Sequence, residues 1–342
     1  MKVGEYHLKD NIMTTKKLRK MNKEKIIQAL YDLGECNKNQ LAKYTNLSQG
    51  TCYNILQELL DSKEIIMGEG FDSTGGRKAK SYKLNKDYSK TLAISFHRQY
   101  DIVVYKIRVY NYVDELIYEE LSQPSMIELE TLCQDIQRII DLFNHIKVLA
   151  LSIPAIITQE GSIEDITLVK GLEKLAHIPI QEELYKRFNK QVIIENDVNT
   201  AVIGYYNQHK DISNIGFVYQ PMDDLAGLAF IVNGVLLSGQ HGLVGEMPFL
   251  PFMKQQEQYE YLKTSTGIYQ ILSQMITLMM IMNDPQHIVV CCQDINHDLL
   301  YQNILKYIPY ENLISEIIIV DNIESLIFQG LLLMSKDRLT KV

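Results

Sequence analysis

The sequence predicts an α/β chain with an N-terminal winged helix-turn-helix ahead of a larger body of two similar α/β lobes, and three observations predict it. Charge is the first. Residues 1–90 carry 17 Lys+Arg against 11 Asp+Glu, leaving 17 against 31 for residues 91–342, so a head of +6 precedes a body of −14. A basic head on an acidic body points to a polyanion partner for the head alone, with a solvated charged face as the alternative. The second observation is a pair of short helical patterns, joined by a tight break and followed by two short β runs. The third is a meander of strand patterns that begins twice, near residues 92 and 215.

Composition sets the limits. A chain of 342 residues, 46% hydrophobic and 22% charged, has room for two or three domains with ordinary globular cores. The longest apolar run, residues 275–282, falls far short of the roughly 18 residues that span a bilayer, so no membrane segment is expected. The first residues lack the apolar core of a signal peptide, and a cytoplasmic location is expected. Cys36, Cys52, Cys133, Cys291 and Cys292 show neither zinc spacing nor a disulfide framework.

Within the head, Ile26, Ile27, Leu30 and Leu33 recur at helical spacing over residues 22–33, with Gly34 placed as a C-terminal cap. Asn39 can cap a short helix carrying Leu41 and Ala42, and Ser48 a second helix reaching about residue 60. Cys52, Ile55, Leu56 and Leu59 form the buried stripe of that second helix. Gln49, Gly50, Tyr53, Asn54 and Gln57 then face outward, a polar and nearly uncharged surface suited to base edges in a major groove, while Ser48 and Thr51 at the N-terminus suit phosphate, a structural helix pair with no DNA role being the alternative. Residues 65–67 and 81–84 read as the wing hairpin. Between them Gly75-Gly76-Arg77-Lys78 forms an arm that can lay Arg77 in a minor groove, a flexible linker with incidental charge being the alternative.

Residues 85–90 are polar and mark a linker between a head at 1–84 and a body at 91–342. The body opens with strands at 92–96, 102–110 and 115–121, a helix at 126–144 and a buried strand at 148–153. After a helix at 179–188, the run 191–204 leads from a short apolar strand into Glu195-Asn196-Asp197 and then a helix. A strand that delivers a carboxylate and an amide at its C-terminal end is where an α/β sheet places ligand-contacting groups; the alternative is that Asp197 only caps the helix. The second meander runs through 215–219 and 225–232, and Asn233-Gly234 is a strong hairpin signal before 235–237. Gly239, Gly242 and Gly245 space out a loop ending in Glu246, a second carboxylate to face Asp197 unless the loop is merely superficial. A methionine-rich helix at 266–282, a strand at 288–292 and a helix at 325–336 complete the pattern. Its methionines read as core filling or a dimer surface.

Taken together, Gln40-Leu41-Ala42 through Leu47-Ser48, Gly75-Gly76-Arg77, Glu195-Asn196-Asp197-Val198-Asn199-Thr200-Ala201 and Gly242-Leu243-Val244-Gly245-Glu246 resemble, in order and spacing, the repressor, open reading frame and kinase (ROK) family, and specifically its transcriptional regulators. The resemblance covers nearly the whole chain. It implies a winged helix-turn-helix followed by a two-lobed actin-like (sugar kinase/Hsp70/actin) ROK domain.

Departures from the family pattern shape the expected function. Where the kinases hold ATP phosphates on glycine-rich turns, this chain has Ser95-Phe96-His97-Arg98-Gln99, Gln220-Pro221-Met222-Asp223-Asp224 and Cys291-Cys292-Gln293-Asp294. Phe249 stands where the family places a zinc-binding and sugar-contacting histidine, and no cysteine cluster follows. The resemblance with these departures implies no enzyme activity, no cofactor and no metal. The expected function is a repressor that binds a double-stranded DNA operator through Ser48, Gln49, Thr51, Tyr53, Asn54, Gln57, Arg77 and Lys78. Asn196, Asp197 and Glu246 are the expected contacts for a sugar or sugar-derivative effector, unless the body only dimerises. A homodimer or homotetramer is expected, and the alternative is a sugar kinase with a regulatory DNA-binding head.

Overall fold

The computed structural model describes residues 15–70, 80–99, 102–124, 126–158, 160–164, 171–222 and 224–339. Two compact units divide the chain: Met1–Ser89 with Asn111–Glu115, and Lys90–Tyr110 with Leu116–Val342.

Unit 1 begins with helix α1 (Thr15–Leu33), which buries Ile26, Ala29 and Leu30 and ends at Gly34 with φ of +70°. The helix starts seven residues before the expected position, because its first turns carry no apolar stripe: residues 17–20 are exposed. Strand β1 (Cys36–Asn37) leads into α2 (Lys38–Thr45). Asn37, rather than Asn39, caps α2: its Oδ1 accepts from Gln40 N at 3.0 Å while Gln40 Oε1 accepts from Asn37 N at 2.8 Å. A reciprocal capping box satisfies two orphan N–H groups, which a cap at Asn39 would leave open. Asn46 turns the chain with φ of 56°, and Ser48 caps α3 (Gln49–Asp61) by accepting from Thr51 N. Strands β2 (Ile65–Met67) and β3 (Ser81–Leu84) pair antiparallel, and β3 also pairs with β1, giving the order β1-β3-β2. The core joins Ile26, Leu30, Leu41, Cys52, Leu56, Leu59, Ile65 and Tyr82.

Unit 2 holds two five-stranded sheets of the same plan. In the first, β4 (Lys90–Gln99), β5 (Ile102–Tyr110) and β6 (Leu116–Ser122) form an antiparallel meander. Helix α4 (Leu129–Leu142) then returns the chain to β7 (Ile146–Ile153), and α5 (Ile180–Phe188) to β8 (Gln191–Asn196), both parallel to β4; the order is β6-β5-β4-β7-β8. Helix α6 (Asp197–Gln208) leads to the second sheet. There β9 (Ile215–Gln220), β10 (Gly227–Val232) and β11 (Val235–Leu236) form the meander, closed by Asn233 and Gly234 with φ of 53° and 75°. Two positive φ values in succession are what a type I′ hairpin demands. Helices α7 (Gln255–Leu262) and α8 (Ser265–Asn283), strand β12 (His287–Cys292), α9 (His297–Ile304) and β13 (Glu316–Val320) follow, in the order β11-β10-β9-β12-β13. The chain returns in α10 (Ile323–Leu339).

Helices α6 and α10 share one core with the inner faces of both sheets, drawing in Ala93, Val148, Ile193, Phe217, Ala229, Val289, Leu326 and Phe328. They cross backbone to backbone. A Cβ on Gly204 would lie 2.0 Å from Leu326 O, and one on Gly330 would lie 2.0 Å from Thr200 O. Helices α4 and α5 pack on the outer face of the first sheet, and α8 and α9 on that of the second. Met275, Met279 and Met280 fill that outer core, whereas Met282 is exposed. Among the described residues, no helix is long and apolar enough to cross a membrane.

Candidate functional site

Two surfaces carry the expected functional residues. On α3 the buried stripe is Cys52, Ile55, Leu56 and Leu59, which turns Gln49, Tyr53 and Asn54 to solvent and leaves Gln57 partly covered. Ser48 Oγ lies 2.9 Å from Thr51 Oγ1 while accepting from Thr51 N at 3.0 Å, so the two hydroxyls at the helix start face each other. Arg77 and Lys78, with the glycine pair before them, lie outside the described residues.

The second surface forms where β8 ends and α6 begins. Asn196 is the helix cap, its Oδ1 accepting from Val198 N at 2.9 Å and Asn199 N at 3.1 Å. Its Nδ2 donates to Ala155 O at 3.2 Å. The expected ligand contact at Asn196 is therefore largely engaged within the protein, with one N–H remaining, and it is Asn196 rather than Asp197 that occupies the cap position. Asp197, the first helical residue, is buried and accepts from Val198 N at 3.0 Å. Glu195 Oε1 accepts from Asn196 N at 2.8 Å and from Asn199 Nδ2 at 3.0 Å. Ser95, Ser152 and Glu195 stand side by side in register across β4, β7 and β8.

Glu246 arrives from the second lobe. Its backbone bridges to Gly227, and Leu228 N donates to Gly245 O at 3.1 Å. Gly245 adopts φ of +88°, and a Cβ there would lie 1.9 Å from Leu228 O, so only glycine lets the loop lie against β10 this closely. Burial pushes the Asp197 carboxyl up to about 6, with the Asp224 charge adding to it and the Val198 N–H opposing it. Glu246 rises to about 7, through burial first and then the charge of Asp197. Glu195 is also raised by burial, against the hydrogen bond from Asn199. The charges that raise Asp197 and Glu246 are themselves carboxylates. A site of this kind offers acceptors to hydroxyl donors and repels an anion.

The three segments expected at the phosphate turns are arranged as follows. Strand β4 runs on to Gln99, which pairs with Ile102, and residues 100 and 101 lie outside the described residues. In the second, Gln220 Nε2 donates to Pro221 O at 2.7 Å and Asp224 O at 2.8 Å, and Tyr259 OH donates to Asp224 Oδ1 at 3.0 Å. That bracing sets the Asp224 charge near Asp197. In the third, Cys291 and Cys292 are buried, and burial pushes their thiols up to about 12 and about 11. Phe249, the residue expected in place of the zinc histidine, ends a 3-10 turn, Met247–Phe249, and is exposed. Among the described residues, no group of three or more His, Cys, Asp and Glu is placed to hold a metal ion.

Sequence reasoning left Glu195 and Asp224 out of the expected site. Glu195 was legible as the residue just before the cap. Asp224 needed the fold, since only the second meander carries it back to Asp197.

Comparison with known proteins places these features. Residues 107–258 match the model of the ROK family. A xylose repressor from Caldicellulosiruptor bescii is 21% identical over 241 residues, covering 67% of this chain and 58% of the relative. A xylose repressor from Staphylococcus xylosus is 23% identical over 236 residues, covering 66% and 59%. The chain thus spans under two thirds of the length of the curated relatives it matches. Among solved structures, a ROK family transcriptional regulator described as a homolog of the E. coli MLC protein gives a TM-score of 0.68 at 14% identity, over 93% of this chain and 98% of that one. A ROK family protein from Streptococcus pneumoniae in complex with sucrose gives 0.58 at 17% identity, over 73% and 99%. A ROK hexokinase from Thermus thermophilus gives 0.54 at 14% identity, over 72% and 99%. Residues 107–258 are thus similar to the ROK family, and the chain has the α/β actin-like fold of the ROK structures it matches.

Proposed function

We propose that this chain is a sequence-specific DNA-binding transcriptional repressor. Unit 1 serves as a winged helix-turn-helix, and the ROK body senses a sugar or sugar derivative between its lobes. The carrying observation is the outer face of α3: Gln49, Tyr53 and Asn54 stand exposed on a helix whose opposite stripe is packed, capped at Ser48 and set off from α2 by the left-handed Asn46. Exposed amides and hydroxyls on a helix entering a major groove read base edges, whereas Arg77 and Lys78 supply phosphate and minor-groove contacts. The regulator-like structure matches 93% of the chain and the hexokinase 72%, which supports assigning the additional matched length to a DNA-binding head. A homodimer would place two heads on a palindromic site.

In the body, Asp197 and Glu246 accept hydrogen bonds from ligand hydroxyls, with Asn196 fixing the start of α6. Phosphoryl transfer is not part of this reading, because it depends on positioning and neutralising phosphate charge, and Asp224 brings a charge of the same sign as phosphate to the loop after β9. The alternative, a sugar kinase with a regulatory head, requires ATP-dependent turnover of a hexose; detecting turnover that Asp197→Asn abolishes would replace the repressor reading.

Operator selection from random duplexes tests the head. In the selected operator, Gln49→Ala and Asn54→Ala should each lower affinity by about 1–3 kcal/mol and relax preference at single positions. Arg77→Ala should weaken binding on all sequences and reduce its salt dependence. Unchanged affinity in the α3 variants, with no sequence enriched in selection, would refute the assignment.

A further inference from the structure

The chain crosses between the two units not once but three times, and the extra crossings carry the inference. Asn111–Glu115 is the turn between β5 and β6, strands of unit 2, yet the turn belongs to unit 1. Its side chains are held there. Tyr112 OH donates to Glu64 at 2.6 Å, and the buried Glu64 pairs with Lys23 of α1 at 2.7 Å. Tyr112 N donates to Lys86 O at 3.2 Å, and the Tyr112 ring packs edge-on against Tyr88 at 5.0 Å. Tyr31 OH donates to Asp114 at 2.7 Å, Lys86 pairs with Glu115 at 2.5 Å, and Tyr112 and Val113 pack on the unit 1 core. Glu64 stands three residues after α3, its N–H donating to Leu59 O at 2.9 Å.

The same strand is also fixed along its length. Lys106 and Arg108 of β5 both reach Glu324 in the first turn of α10, at 2.8 and 2.9 Å, and the Arg108 guanidinium lies 4.0 Å over the Phe328 ring. Helix α10 crosses α6 at the glycine contacts, and α6 starts at Asp197.

We propose that the Asn111–Glu115 turn is the transmission element of this regulator, passing the state of β5, and through Glu324 that of α10 and α6, to the base of α3 by way of Tyr112 and Glu64. The proposal rests on the repressor reading for its purpose but not for its mechanics. One two-stranded ribbon carries both the turn hydrogen-bonded within unit 1 and the residues ion-paired to α10, so the two attachments share its backbone.

A hydrogen-exchange cycle on the full chain tests it, with wild type, Glu324→Gln, Tyr112→Phe and the double variant followed by mass spectrometry of peptides covering α3. Glu324→Gln loosens the shaft and should speed exchange in α3 by about threefold or more when Tyr112 is present, and by clearly less in the Tyr112→Phe background. Tyr31→Phe, which removes the second anchor and leaves the Tyr112 ring in place, should reduce the effect in the same direction. An effect of Glu324→Gln that is equal in all three backgrounds, or that never reaches α3, overturns the proposal. Exchange does not depend on operator or effector, so failed operator selection with an intact cycle would count against the repressor reading alone.

Discussion

Replacing Asp197 by asparagine should stabilise the protein, and only above a defined pH. The carboxyl is buried and raised from an ordinary 3.8 to about 6, with burial the largest cause. A raised acid holds its proton more tightly in the folded state than in the unfolded one. Its contribution to stability is therefore full below the unfolded value near 3.8 and is lost as pH rises through about 6. At roughly 1.4 kcal/mol per pKa unit, the ionised carboxylate costs on the order of 3 kcal/mol above that window. Asparagine keeps the oxygen that accepts from Val198 N, and loses the favourable interaction of a negative charge with a helix N-terminus, about 0.3–1 kcal/mol. Desolvation wins. The net gain near pH 8 is about 2 kcal/mol, which for a unit of this size moves the thermal midpoint by roughly 4–8 °C. Thermal unfolding of wild type and Asp197→Asn near pH 4 and pH 8 is the assay. A gain near pH 8 that vanishes near pH 4 is expected, and Glu246, relieved of the Asp197 charge, should titrate lower in the variant. Destabilisation near pH 8, or an equal shift at both pH values, would falsify the desolvation argument.

Two further predictions concern the scaffold. Gly330→Ala puts a methyl 2.0 Å from the Thr200 carbonyl oxygen, where the obstruction is backbone, so α6 and α10 must separate; overpacking of this kind costs about 1–3 kcal/mol or more, readable as a lowered thermal midpoint with Gly204→Ala behaving alike. Asn37→Ala removes the cap and half of the capping box of α2, and should lower the stability of unit 1 by about 1 kcal/mol, whereas Asn39→Ala should be near neutral by the same denaturation measurement.

Periodicity located most of unit 2 because its strands are buried on both faces or alternate cleanly. The residue 102–110 run became β5 with the same bounds, and the Asn233-Gly234 turn closed β10 onto β11. What escaped has physical reasons. Helix α7 buries Gln258 instead of an apolar stripe, α9 is a single short helix with Leu300 and Ile304 buried, and β13 is a five-residue run with only Ile317 buried. In the site, Asp197 and Glu246 were legible as carboxylates at a strand end and a glycine loop. The cap was misplaced by one residue because Asn196 and Asp197 are both good capping residues, and only the backbone, extended at Asn196 with φ of −61° and ψ of 148°, separates them. That a hairpin turn would belong to unit 1 has no sequence signal, since a turn is polar whatever it touches.

The unfavourable burial of Asp197 bears directly on what the site is for. A helix start needs only one capping side chain, and Asn196 already provides it with two backbone donors. An acid at the next position adds a carboxylate whose ionisation is opposed by burial and by Asp224, with another, Glu246, brought near it by a loop that tolerates only glycine at position 245. Stability alone would favour asparagine or serine there. Carboxylates held in this way are strong acceptors, so under the proposed sensing role a ligand bearing several hydroxyl donors would recover free energy spent on their burial. Because Asp197 is supplied by the first lobe and Glu246 by the second, that recovery would under this proposal be greatest with both lobes against the ligand, and the helix that begins at Asp197 is the one crossed by α10.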